Sequence, residues 1–189
     1  QRADPFRFGT DAVLLADFAA PRRHDRVCDL GTGTGIIPLL LYARENTISA
    51  DAVEIQPDMA DMAARSMAMN GLNEKIRVLP GDLRSIRTLL PHARYDLVTC
   101  NPPYGKAGGT LLNPDASKRL ARHEESCAIE DVACAAAWLL QNGGRLCCVF
   151  PAARMIELSD AMRKYRMAPK RIRMVHSRVE KAAHLCLME

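Results

Sequence analysis

The chain has 189 residues, 48% of them hydrophobic and 25% charged, with a formal net charge of +4. That length suits one domain with one sizeable core, and the ordinary apolar and charged fractions exclude a disordered or collagen-like chain. No apolar run approaches the roughly 18 residues that cross a bilayer and no signal-peptide h-region opens the chain, so a cytoplasmic protein is expected. The first residue is Gln1 rather than Met, and a natural N-terminus ahead of it is expected to be missing.

Apolar strands alternate with helical patterns along the chain. Residues 26–30 form a short apolar strand that runs into a glycine-rich turn, and a helix follows over 35–44. A strand over 49–55 precedes a helix over 57–70 that Pro57 starts and Gly71 stops. Strands follow over 76–79 and 95–100, then a helix over 129–140 and a strand over 145–150. A helix over 154–166 leads to strands over 171–176 and 184–188, joined by a short turn. The alternation predicts an α/β fold: a doubly wound, mostly parallel, seven-stranded sheet. The last two strands lack a crossover helix, so they should pair antiparallel. Ligands in such sheets bind beyond the carboxyl ends of the strands. The segment 105–128 holds Gly105, Gly108, Gly109 and Pro114 with no periodicity, and is expected to be a substrate loop.

The seven cysteines are an odd number without a CxxC pair, and Cys28, Cys100, Cys147, Cys148 and Cys186 fall in apolar strands. They read as small buried hydrophobes in a reducing compartment rather than as disulfides or zinc ligands. No metal site is expected, since His24, His92, His176 and His184 stand apart from suitable partners. Between Arg163 and Lys181, eight basic residues face the single acid Glu180. That run is either a solvated face or a phosphate-contacting surface; the excess of Arg over Lys leans toward phosphate.

Four strand ends carry chemistry. Asp29-Leu30-Gly31-Thr32-Gly33-Thr34-Gly35 follows the first strand, where glycines allow close backbone approach and a helix N-terminus offers N–H groups. Glu54 closes the second strand, where a carboxylate holds ribose hydroxyls. Alone, this pair does not separate a nicotinamide site from an S-adenosylmethionine site. Asp82, after the third strand, is suited to accept from an adenine amine. Asn101-Pro102-Pro103-Tyr104 ends the fourth strand, and its prolines leave carbonyls free to accept. An amine conjugated with an aromatic ring or amide is a poor nucleophile until its hydrogens are bonded away. The Asn101 side-chain oxygen and the Pro102 carbonyl suit that task, and Tyr104 suits stacking. Catalysis then needs positioning and polarisation rather than a strong base.

The glycine loop, the acid on the second strand and the NPPY tetrapeptide together resemble class I S-adenosylmethionine-dependent amino methyltransferases. Phe6-Arg7-Phe8-Gly9-Thr10-Asp11-Ala12-Val13-Leu14-Leu15 narrows the resemblance to the tRNA (adenine-N6)-methyltransferases that modify the adenosine next to the anticodon of valine tRNA. Arg122-His123-Glu124, Glu130-Asp131-Val132, Gly143-Gly144 and Pro169-Lys170-Arg171 extend it over essentially the whole chain. It implies a Rossmann-like methyltransferase fold in a single domain, with S-adenosylmethionine as cofactor and S-adenosylhomocysteine as product. It implies cofactor contacts from Thr10, Asp11, Asp29, Gly31, Thr32, Gly33, Glu54, Ile55, Asp82, Leu83 and Asn101. Catalytic roles fall on Asn101, Pro102, Pro103 and Tyr104, and substrate contacts on Tyr104, Lys106, Arg122, His123, Arg171 and Arg173. The implied partner is tRNA, with no membrane or metal, and a monomer is the default with a dimer open. Protein glutamine methylation, rRNA guanine or DNA adenine methylation, and a non-catalytic cofactor-binding module are the alternatives.

Overall fold

The computed structural model describes residues 9–102 and 128–189. Their strands are β1 Arg26–Leu30, β2 Ser49–Glu54, β3 Ile76–Pro80, β4 Tyr95–Cys100, β5 Leu140–Pro151, β6 Ile172–His176 and β7 Ala183–Met188. They form one seven-stranded sheet in the order β3-β2-β1-β4-β5-β7-β6. The pairs among β1 to β5 are parallel, whereas β7 runs antiparallel between β5 and β6. The doubly wound sheet with an antiparallel last strand is thus the one observed, because the few residues joining β6 to β7 leave no room for a crossover.

The helices are α1 Thr10–Ala19, α2 Ile36–Arg44, α3 Pro57–Met69, α4 Ile86–Leu89, α5 Ile129–Leu139 and α6 Met155–Lys164. Short 3-10 turns at Leu83–Ser85 and Ala152–Arg154 precede α4 and α6. The short α4 goes beyond the sequence pattern, as do α1 and the start of β5. The helix α1 carries apolar residues almost all round, so it has little helical periodicity, yet it buries Ala12, Leu15, Ala16 and Ala19 on one face. The strand β5 begins directly where α5 ends, because Leu140 already pairs with Tyr95.

Cores lie on both faces of the sheet. Buried residues of α1, α2 and α3 pack on one face, and those of α4, α5 and α6 on the other. Covering both faces explains why β1 and β4 read as nearly unbroken apolar runs with four and five buried residues respectively. The strand period of two then sorts the polar exceptions. Val27 and Leu97 face α1 and α2, so Asp29, Thr99 and Asn101 belong to that same face. Asp29 and Thr99 are direct register partners.

Candidate active site

The order of the strands reverses between β1 and β4: from β1 the chain winds out to β2 and β3, and from β4 it winds the other way. Leu30 and Cys100 pair at the ends of these neighbours, so the loop 31–35 and Asn101 sit side by side, about 5 Å apart in strand spacing. A crevice at such a reversal is where open α/β sheets take their ligands.

The loop's shape comes from its backbone. Gly31, Gly33 and Gly35 have φ of 70°, 57° and 80°, the left-handed region that suits glycine. At Gly35 space is decisive too, since an added Cβ would lie 2.8 Å from Met67 Cε and 3.2 Å from Ala63 Cβ of α3. The N–H groups of Gly31 and Thr32 both donate to the Val53 carbonyl, at 2.9 and 3.0 Å. Gly33 N–H donates to Glu54 Oε2 at 2.8 Å, and Gln56 N–H to Glu54 Oε1 at 2.9 Å. Glu54, 4% exposed, thereby ties the ends of β1 and β2 together. Each of its oxygens keeps a further lone pair for a hydroxyl.

Asp29 is fully buried. Its Oδ1 accepts from Thr99 Oγ1 at 2.6 Å. Burial pushes its carboxyl up to about 7; Thr99, and the hydroxyl of Thr32 close by, pull it down, while the Glu54 charge pushes the same way as burial. The Thr32 hydroxyl falls short of a hydrogen bond, because Asp29 Oδ2 and Thr32 Oγ1 both lack a partner among the described residues. Two orphaned buried polar atoms at the mouth of a glycine loop are costly to the fold unless a ligand satisfies them. They fit one that brings positive charge and hydrogen-bond donors and acceptors, as S-adenosylmethionine does. Thr99 was not anticipated from the sequence, although a hydroxyl inside the apolar run Tyr95–Cys100 was a legible signal.

At the end of β4, Asn101 is half-buried and Pro102 buried. Asn101 Nδ2 donates to Asp11 Oδ2 at 3.0 Å, which joins the end of β4 to the first turn of α1. Thr10 opens that helix and is exposed.

Known proteins fit this geometry. The family described as Methyltransferase small domain matches residues 6–171. A tRNA1(Val) (adenine(37)-N6)-methyltransferase of Porphyromonas gingivalis is 33% identical over 97% of this chain and 73% of its own length. The chain belongs to the tRNA1(Val) (adenine(37)-N6)-methyltransferase family. A member from Tolumonas auensis is 38% identical over 77% of this chain and 59% of its own. Among solved structures, a predicted O-methyltransferase from Agrobacterium tumefaciens has a TM-score of 0.74 and 24% identity, over 94% of this chain and 78% of that one. That likeness shows the Rossmann-like methyltransferase fold.

In this methyltransferase the remaining expected residues fall into three groups. Ile55, Asp82 and Leu83 join the site's rim at the ends of β2 and β3. Ile55 is 43% exposed, an uncovered apolar side chain beside Glu54. Asp82 grips Arg84, whose Nε lies 2.9 Å and Nη2 2.5 Å from Oδ2, and this hydrogen bonding holds its carboxyl below the usual range against burial. Leu83 packs against the core beneath. Arg171 and Arg173 lie elsewhere. Arg171 donates to the Phe18 carbonyl at 2.7 Å and to Glu189 Oε2 at 2.6 Å, and Arg173 to Asp17 Oδ2 at 2.8 Å. Both guanidinium groups lie over the Phe18 ring, at 4.1 and 5.4 Å. They hold the C-terminal end of α1, about 10 Å along the helix from Asp11. Pro103, Tyr104, Lys106, Arg122 and His123, with the rest of the expected substrate loop 105–128 except Ala128, lie outside the described residues. No helix of the described residues is long and apolar enough to cross a membrane.

Proposed function

We propose that this chain transfers a methyl group from S-adenosylmethionine to the N6 amine of an adenine in tRNA, the adenosine next to the anticodon of valine tRNA. The observation that carries the reading is Asn101, held by Asp11 beside the Gly31–Gly35 loop in a chain of this family. When bound, S-adenosylmethionine supplies a methyl group made electrophilic by its sulfonium.

Glu54 and Asp29 line the cofactor's side of the crevice. Glu54 offers its spare lone pairs to ribose hydroxyls, Asp29 Oδ2 offers a charge and an acceptor, and Ile55 offers an apolar surface to a flat ring. On the acceptor's side, Asn101 Oδ1 and the Pro102 carbonyl accept the two amine hydrogens. Hydrogen bonds from the amine to these oxygens draw the nitrogen lone pair out of conjugation, so the amine becomes a competent nucleophile without a strong base, and the methylated nitrogen releases its extra proton to water. Placing nucleophile and methyl group within reach supplies most of the remaining acceleration. A base in an anticodon loop leaves its stack at a cost of about a few kcal/mol, lowest where it is unpaired.

The test is transfer of labelled methyl from S-adenosylmethionine to unmodified total tRNA, duplex DNA, ribosomal RNA and a translation release factor. N6-methyladenosine in digested valine tRNA is the expected product. Label confined to the protein would retain the chemistry and overturn the substrate.

A further inference from the structure

We infer that Asp11 is a positioning residue for methyl transfer, because its carboxylate decides which end of the Asn101 amide faces the acceptor. The inference rests on Asn101 being the group that polarises the acceptor amine.

An asparagine amide has nearly the same shape at both ends, but one end only accepts and the other only donates. Asn101 can draw a hydrogen from an amine only through Oδ1. Turned by half a rotation, it would present an NH2 group to an NH2 group and catalyse nothing. A carboxylate settles the choice, since it accepts and never donates. With Nδ2 committed to Asp11 Oδ2 at 3.0 Å, Oδ1 occupies the branch turned away from Asp11.

The carboxylate is itself held in place. Asp11 Oδ1 accepts from Ala12 N–H at 3.0 Å, and Asp11 lies in the first turn of α1, where the helix dipole favours negative charge. Residue 9 leaves it room: a Cβ on Gly9 would lie 2.4 Å from Asp11 Oδ1. The Gly9 backbone, at φ −87° and ψ 172°, suits any residue, so the constraint there is space for the carboxylate. At its far end α1 is fastened by Arg145, which donates to the Ala19 carbonyl at 2.9 Å, and by Arg171 and Arg173. The basic residues 171 and 173 therefore serve the site by steadying the helix that carries Asp11. A catalytic group set by a partner on a rigid element keeps its geometry in a way that a loop partner does not.

Exchanging the pair tests this. Asn101→Asp alone sets two carboxylates face to face and is expected to lower kcat by about 100-fold or more. Asp11→Asn alone lets the amide flip and is expected to cost about tenfold in kcat, with cofactor affinity by calorimetry unchanged. The double variant Asp11→Asn/Asn101→Asp restores one donor facing one acceptor and leaves an acceptor oxygen for the substrate. It is expected to recover kcat to within about tenfold of the parent. Gly9→Ala, which keeps every charge and displaces only the carboxylate, should lower kcat in the same direction without altering cofactor affinity. A double variant no better than Asn101→Asp alone would overturn the inference. So would a rise in cofactor dissociation constant that accounts for the whole loss in Asp11→Asn, which would make Asp11 a cofactor contact. Asn101→Ala separates the two layers. If it keeps full kcat, the reading of Asn101 falls; if it loses kcat while Asp11→Asn and Gly9→Ala do not, only the positioning role falls.

Discussion

The two edges of the sheet treat their inward polar groups in opposite ways. At the N-terminal edge, Tyr95 donates its hydroxyl to Asp51 Oδ2 at 2.5 Å, and Arg77 Nε donates to Asp51 Oδ1 at 2.7 Å. Nearby, Asp25 Oδ2 accepts from Arg22 N–H at 2.9 Å and from Arg145 Nη2 at 3.2 Å. A cleft of about 470 Å³ opens there, lined by Arg26, Asp51, Lys75, Arg77, Arg94 and Tyr95, but its half-buried carboxylate, Asp51, already has two donors. At the C-terminal edge, Asp29 has one donor and one orphaned oxygen, and the Thr32 hydroxyl has no partner among the described residues. Satisfied polar groups hold a fold; bonding capacity kept open at a buried position is a place for a ligand. The contrast locates the site more firmly than the size of any cleft.

The sharpest way to break that contrast is to remove the group that acts. Asn101→Ala should lower methyl transfer by about 100- to 1,000-fold while cofactor binding, measured by calorimetry, survives. Next, Thr99→Val strips Asp29 of its one observed donor and keeps the side chain's shape. It should cost about 1–3 kcal/mol of stability in a denaturant titration. It should also raise the Asp29 carboxyl further.

The pH dependence follows from Asp29. Its carboxyl stands at about 7 in the fold against an ordinary value of 3.8. Below the ordinary value both folded and unfolded chains hold the proton. Between the two values the folded chain keeps a proton that the unfolded chain has released, so stability falls as pH rises, and the contribution is gone above about 7. Melting temperatures from pH 4 to pH 8 should show this fall in the parent and lose it in Asp29→Asn. A bound cation favours the carboxylate, so cofactor binding at neutral pH should release a proton. Calorimetry in two buffers of different ionisation heat reads that directly.

On the opposite edge the expected changes concern stability alone. Tyr95→Phe removes the hydroxyl from Asp51 and should cost about 1.5 kcal/mol without altering kcat. A loss of activity in that variant would erase the distinction between the edges. The smallest effect belongs to Arg173→Ala. Its pair with Asp17 is half exposed on both sides, at 47% and 52%, and such pairs contribute about 0.2–1 kcal/mol. Methyl transfer should fall only slightly, through a loosened α1.

Sequence alone determined a great deal about this protein. The strand-helix alternation, the glycine loop and the acid Glu54 at the end of β2 were legible because each is a local pattern tied to a local need: parallel strands buried on both faces, positive φ in the loop, and a carboxylate to hold that loop's N–H group. The antiparallel β7 was legible for the same reason, from a connection too short to cross over. Only the tertiary structure decided that α1 is a helix spanning the sheet from Asn101 to Arg145, because a nearly all-apolar segment has no periodicity to read. It alone paired Asp11 with Asn101, 90 positions apart, and Thr99 with Asp29, 70 apart. It also set Arg171 and Arg173 against α1, contacts that the basic run by itself does not specify. Partners of side chains distant in sequence are chosen by which strands lie adjacent and which face each residue takes, and that information exists only once the sheet is assembled.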